Sequence, residues 1–210
     1  MSDDRMIDMA LAFIVFMLGK EAFDALRSSR TRVVLRGLRP AHFLRAIPLF
    51  VAIVLIAATS VAFVPMGDLG WWSALGGQGN VLFGNAGPRP DPSWIQRSAP
   101  WACLLMIAMA APAMVRLEER WFRRAADRYS PARGVLRQAG FGAAHMIVGV
   151  PVGAAIALMA AGLVFQRAYL RALRVRGSRW DALMASTHLH LAYNYAALSV
   201  IGLALFVQSA

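Results

Sequence analysis

The feature that most limits what this chain can become is a set of long, nearly uninterrupted apolar runs. The clearest is "FLRAIPLFVAIVLIAATSVAFVPM", from about Phe43 to Met66. A helix needs roughly 20 mostly apolar residues to cross a bilayer. No soluble domain of 210 residues has a core large enough to hide several such runs. "WACLLMIAMAAPAMVRLEER" begins at Trp101, with Pro112 expected to kink it. "GVLRQAGFGAAHMIVGV" covers about Gly134 to Val150, and "PVGAAIALMAAGLVFQRAYL" follows from Pro151. The glycines around Pro151 predict a tight turn between these two. The last run is Trp180 to Val207. A first segment, about Met6 to Phe23, is shorter, and Asp8 interrupts it; it reads as a retained helix that spans the membrane or lies in its interface. It lacks the basic n-region and the cleavage site of a secretory signal. The expectation is an all-α, polytopic transmembrane bundle of about six spans. Residues 1–100 supply the N-terminal helices and an outer loop, and residues 101–210 form the core of a single membrane-embedded unit.

Composition agrees. Hydrophobic residues make up 59% of the chain and charged residues 16%, where soluble domains carry roughly 25% charged. The net charge of +11 raises the question of nucleic acid. The arginines, however, cluster beside apolar segments and not on one polar face, so nucleic acid is not an expected partner. The positive-inside bias accounts for them. Segments 25–45, 116–137 and 167–179 are rich in arginine, whereas 67–99 holds only Arg89 and Arg97. This alternation predicts arginine-rich loops in the cytoplasm and both termini outside. Trp71, Trp72, Trp94 and Trp101 suit an outer interfacial belt. The lone Cys103 excludes an intrachain disulfide and a cysteine-based metal cage.

Ionisable groups within spans are costly and mark candidate functional sites. Three sets stand out: Glu118 and Glu119; His145; and His188, His190 and Asn194. With a rise of ~1.5 Å per residue, Glu118 lies roughly 8 Å, His145 roughly 12 Å and His190 roughly 15 Å from the same edge of the membrane. Similar depth on three helices predicts one shared, water-accessible cavity. Glu118 and Glu119 point about 100° apart on a helix, so they cannot do the same job. Glu119 and Arg123 have the favourable i,i+4 order of an ion pair, which leaves Glu118 to face the cavity. His190 and Asn194 share a face, while His188 points away and is expected to hydrogen-bond a neighbouring helix.

The residues "EERWFR" (Glu118, Glu119, Phe122, Arg123), "FGAAH" (Phe141, His145) and "HLAYN" (His190, Asn194) resemble the three motifs EExxxR, FxxxH and HxxxN. These mark the CPBP family, also called ABI, of intramembrane endopeptidases related to the CAAX prenyl endopeptidase. The resemblance covers about residues 101–207. Arg124 stands where family members often carry a small residue, and "THLH" offers a second histidine. The resemblance implies that Glu118, aided by His145, activates a water, and that His190 and Asn194 stabilise the oxyanion. Glu119, Arg123 and Phe141 would support them. The implied substrate is a peptide or membrane-anchored protein, the implied setting is membrane lipid in a bacterial plasma membrane, and the site opens to the cytoplasm. A partly desolvated carboxylate is an effective base, and donors fixed in a cavity stabilise an oxyanion strongly.

Other readings remain open at this point. No cofactor is expected, but Glu118, His145 and His190 would form a His₂Glu set were the protein a zinc protease; the HExxH pattern of such enzymes is absent. A non-catalytic immunity or scaffold protein of the same family is an alternative. A proton-coupled transporter needs polar residues along a whole path, and the outer halves of these helices are almost purely apolar.

Overall fold

A computed structural model of the chain describes residues 3–70 and 93–209. Among the described residues there are seven α-helices, one 3-10 turn and no strand. The helices are α1 (Asp3–Arg27), α2 (Ser29–Gly37), α3 (Pro40–Phe63), α4 (Trp94–Arg123), α5 (Pro131–Met146), α6 (Val152–Arg176) and α7 (Arg179–Ser209); the 3-10 turn is Ala126–Arg128. Trp71, Trp72 and Arg89 lie outside the described residues.

Local chemistry sets the helix ends. Ser93 accepts the Gln96 backbone N–H at the start of α4, and Ser130 accepts that of Arg133 at the start of α5; such caps satisfy donors that have no partner within the helix. Pro40 and Pro131 occupy first-turn positions where a missing N–H costs nothing. Gly177 ends α6 with φ 68°, a left-handed backbone suited to glycine, and its N–H bonds the Leu173 carbonyl.

Four helices are long and apolar enough to cross a membrane: α3, α4, α6 and α7. Their outward surfaces are apolar, as Leu44, Val51, Leu55 and Phe63 of α3 illustrate. This is consistent with an integral membrane protein. The other two expected spans fall short by these measures. In α1 the apolar stretch runs only from Met9 to Gly19, between Asp8 and the cluster Lys20, Glu21 and Asp24. Helix α5 has 16 residues, or about 24 Å of rise, against a hydrocarbon core of roughly 30 Å.

Both short helices nevertheless lie along longer ones. α1 runs parallel to α4. Near one end Asp8 accepts hydrogen bonds from Ser93 Oγ (2.8 Å) and Gln96 Nε2 (3.0 Å), and further along Gly19 meets the Met106 side chain. The aspartate that breaks the apolar run thus fastens α1 to the N-terminus of α4. α5 and α6 form an antiparallel hairpin. Gly142 faces the Ala155 carbonyl so closely that a Cβ would overlap it. The turn of this hairpin is tied to the segment after α3, with Val152 N–H donating to the Leu69 carbonyl (3.0 Å) and Gly153 N–H to that of Gly67 (2.8 Å). Small buried residues on α6 (Gly153, Ala155, Ala157, Ala161, Gly162) let α3, α5 and α7 approach closely.

Two parts of the sequence reading change. Residues 25–45 are not a loop. Ser29–Gly37 is an amphipathic helix that buries Thr31 and Val34 and exposes Arg30, Arg32 and Arg36. Its nine residues are too few to show a clear period. Likewise, most arginines assigned to loops 116–137 and 167–179 belong to helix ends: α4 continues through Arg123, α5 starts at Pro131, and only Gly177 and Ser178 separate α6 from α7. The expected boundary at residue 100 falls inside α4. α4 remains one continuous helix through Pro100 and Pro112.

Candidate active site

The polar residues of α4 and α7 meet in the core. Glu119 and Arg123, one turn apart on α4, have fully buried side chains and pair with Nη1 to Oε1 at 2.5 Å. Removing two charges from water is expensive unless their remaining hydrogen bonds are met, and here most are. Arg123 Nη2 donates to Gln138 Oε1 of α5 (3.1 Å), and Gln138 Nε2 donates to Gln166 Oε1 of α6 (2.6 Å). The guanidinium lies over Phe141 (4.3 Å to the ring centroid) and near Phe165 (5.3 Å), the cation–π arrangement that favours a desolvated arginine. Glu119 Oε2 accepts from Ser186 Oγ of α7, which also lies 3.0 Å from the Phe165 carbonyl.

His190 completes the cluster. Its Nδ1–H donates to Glu119 Oε1 (2.9 Å), which settles the orientation of the ring. The imidazole stacks on Phe165 at 4.3 Å with an 18° tilt, and Phe141 meets it edge-on at 5.6 Å. Its Nε2 points at Glu118 Oε2, 3.6 Å away. That gap exceeds a hydrogen bond. Glu118 Oε2 is buried and has no hydrogen-bond partner, yet the side chain as a whole is 24% exposed. The carboxylate therefore sits at the mouth of the cluster with one oxygen tucked inward beside the imidazole. Arg123 Nε is a second buried atom with no partner. Asn194 is half-buried one turn beyond His190 on α7.

His145 stands apart. Its Nδ1–H donates to the Phe141 carbonyl of its own helix (2.8 Å), and its ring packs edge-on against Phe141 (4.8 Å). Phe141 thus touches both His145 and His190. No ion pair within 4 Å joins His145 to either glutamate. Among the described residues no three His, Cys, Asp or Glu side chains are grouped as ligands of one metal ion. His188 donates Nε2–H to the Val34 carbonyl of α2 (3.1 Å) and faces the His42 ring. It fastens α2 to the bundle and takes no part in the cluster.

The sequence reading omitted Gln138, Gln166, Ser186 and Phe165. Two of them carried a signal. Ser186 lies one turn before His190 on α7, and Gln138 lies three residues before Phe141 on α5; each is a polar residue inside an apolar helix, on the face of a residue already chosen. Phe165 has no such mark, because only its contacts distinguish it from packing.

Comparison of the chain with protein-family models, with curated proteins and with solved structures found no match.

Proposed function

We propose that this chain is an intramembrane endopeptidase of the CPBP type that hydrolyses a peptide bond of a membrane-associated protein or peptide. The observation that carries the reading is the order Glu119, His190, Glu118: a buried carboxylate fixes one imidazole nitrogen while the other faces a partly exposed carboxylate. The fixed orientation of His190 is the preorganisation that catalysis requires, because no reorganisation cost remains for the reacting step. Glu119 with Arg123 makes a charge-balanced pair, which suits a site of low dielectric.

In this reading a water bridges Glu118 and His190. Glu118 takes a proton from the water as its oxygen bonds to the scissile carbonyl carbon. His190, with the Asn194 amide beside it, stabilises the oxyanion. Protonated Glu118 then gives its proton to the amide nitrogen, the C–N bond breaks, and an amine and a carboxylic acid leave. A helical substrate must unwind locally first, because its backbone groups are otherwise paired. His145, held by Phe141, shapes the site and does not touch the base. The α5–α6 hairpin and α1 bring the number of membrane passes to six, with the arginine-rich end toward the cytoplasm.

The test compares membrane peptides from cells carrying wild type and Glu118→Gln. A cleavage product present with wild type and absent with the variant supports the reading. Identical peptide sets sink it, and a phenotype that survives the substitution assigns the chain an immunity or scaffold role. Activity that a chelator abolishes and zinc restores overturns the metal-free mechanism.

A further inference from the structure

A second concavity lies at the arginine-rich end of the bundle, outside the Glu–His cluster. Its volume is about 660 Å³, and its wall is built by Arg30 of α2, Arg116 and Arg120 of α4, Arg124 just past the end of α4, Arg128 of the 3-10 turn and Trp180 of α7. Arg179 completes the rim. Arg116, Arg120 and Arg124 recur every four residues, so they form one stripe along the last turns of α4 and its C-cap, about 100° from the Glu119 face. Like charges at this spacing repel. Among the described residues, only Arg179 of these six arginines has an ion-pair partner, Asp127 at 2.6 Å. Arg116 Nε is buried without any hydrogen-bond partner, and its guanidinium approaches the ring of the half-exposed Trp180 at 5.9 Å.

Arginines that serve only to orient a membrane protein need not face one another. These converge, and among the described residues one carboxylate pairs with the six guanidinium groups. We propose that the cleft binds a phosphate-bearing anion with more than one negative charge. Guanidinium forks match phosphate oxygens in a bidentate way. The cleft lies where the spanning helices α4 and α7 meet their polar ends, beside a tryptophan of the kind that sits at headgroup level, and basic pockets between such helix ends hold anionic headgroups. The shared chemistry is the phosphate, carried by an anionic lipid or free in solution. The inference does not depend on the peptidase reading.

The experiment uses the full purified chain in neutral detergent. Thermal unfolding and native mass spectrometry are read with added cardiolipin, phosphatidylglycerol, phosphatidylcholine or inorganic pyrophosphate. The expected result is a rise in melting temperature and retained adducts with the doubly charged cardiolipin, none above background with phosphatidylcholine, and a loss of binding as salt is raised. Arg116→Gln combined with Arg120→Gln should weaken cardiolipin binding by about tenfold or more. Arg167→Gln, an exposed arginine of α6 away from the cleft, should leave it unchanged. If the double variant does not fold, Arg30→Gln and Arg128→Gln, both at exposed positions, carry the comparison. Displacement of the lipid by pyrophosphate identifies a site open to soluble phosphates; lipid binding that pyrophosphate leaves intact identifies a headgroup site. Equal affinity in wild type and cleft variants, or no preference for anionic over neutral lipid, overturns the proposal.

Discussion

Adjacent glutamates on one helix have opposite fates here, and the difference is burial. Glu119 is fully enclosed and serves three partners: Arg123, His190 and Ser186. Replacing it by Gln leaves the Arg123 charge buried without a counter-ion. Breaking a buried pair in this way typically costs about 3–5 kcal/mol, so Glu119→Gln should unfold at markedly lower temperature or denaturant concentration in detergent. Glu118 is partly exposed and lacks any hydrogen bond to its inner oxygen. Glu118→Gln should therefore fold with far less loss, while peptide cleavage under the proposed mechanism falls by about 10²–10⁴-fold, the usual worth of a general base. A variant pair in which Glu118→Gln destabilises as much as Glu119→Gln would contradict this division of roles. Ser186→Ala deletes a hydroxyl wedged between the Glu119 carboxylate and the Phe165 carbonyl. It should cost about 1–3 kcal/mol, because a buried acceptor loses its donor; unfolding measurements on the same detergent-solubilised protein check it.

At the level of helices, the arrangement rests on close approaches that only small residues allow. Gly142 of α5 meets the backbone of Ala155 and Met159 on α6. A side chain there must push the hairpin apart, so Gly142→Val should destabilise by about 1–3 kcal/mol or more and move Gln138 away from Gln166 and Arg123. The visible consequence is lower thermal stability and, under the proposed mechanism, reduced cleavage, even though Gly142 touches no proposed reacting group. α2 presents the complementary case. It is short, with Thr31 and Val34 turned inward and Val34 receiving the His188 hydrogen bond. His188→Ala should loosen α2 and raise proteolytic susceptibility near Ser28 and Arg30, leaving the Glu119–Arg123 pair and the melting of the main bundle little changed. The element pattern also explains what was and was not legible. The long apolar runs of α3, α4, α6 and α7 announce themselves through length. α2 does not, since nine residues hold only about two and a half periods, and α5, at 16 residues, lacks the length that marks the other four.

For the whole molecule, the ends of the bundle separate by charge: one carries the arginines of α2, α4, the 3-10 turn and α6, while the other carries the start of α1, the end of α3 and the α5–α6 turn. With six passes, single cysteines introduced at Ser178 and at Leu69, in a Cys103→Ser background, should react with an impermeant thiol reagent from opposite sides of the membrane. Labelling from the same side would remove the six-pass arrangement. One polar chain crosses the interior as well, from His190 of α7 through Glu119 and Arg123 of α4 to Gln138 of α5 and Gln166 of α6. Four helices are thereby held in one register by side chains that have no water to turn to.

The apolar runs, their lengths and the scarcity of charges within them were enough to make the chain helical and suited to a membrane, because hydrocarbon leaves the backbone of a single segment no other way to satisfy its hydrogen bonds. The helical spacing of Glu118, Glu119 and Arg123 likewise follows from local geometry alone. Which imidazole meets which carboxylate does not. The histidines at 145, 188 and 190 all sit on apolar helices, yet one bonds its own backbone, one holds a peripheral helix and one reaches the glutamates. Helix rotation and the interposed ring of Phe141 make that choice, and both are products of packing between segments far apart in the chain.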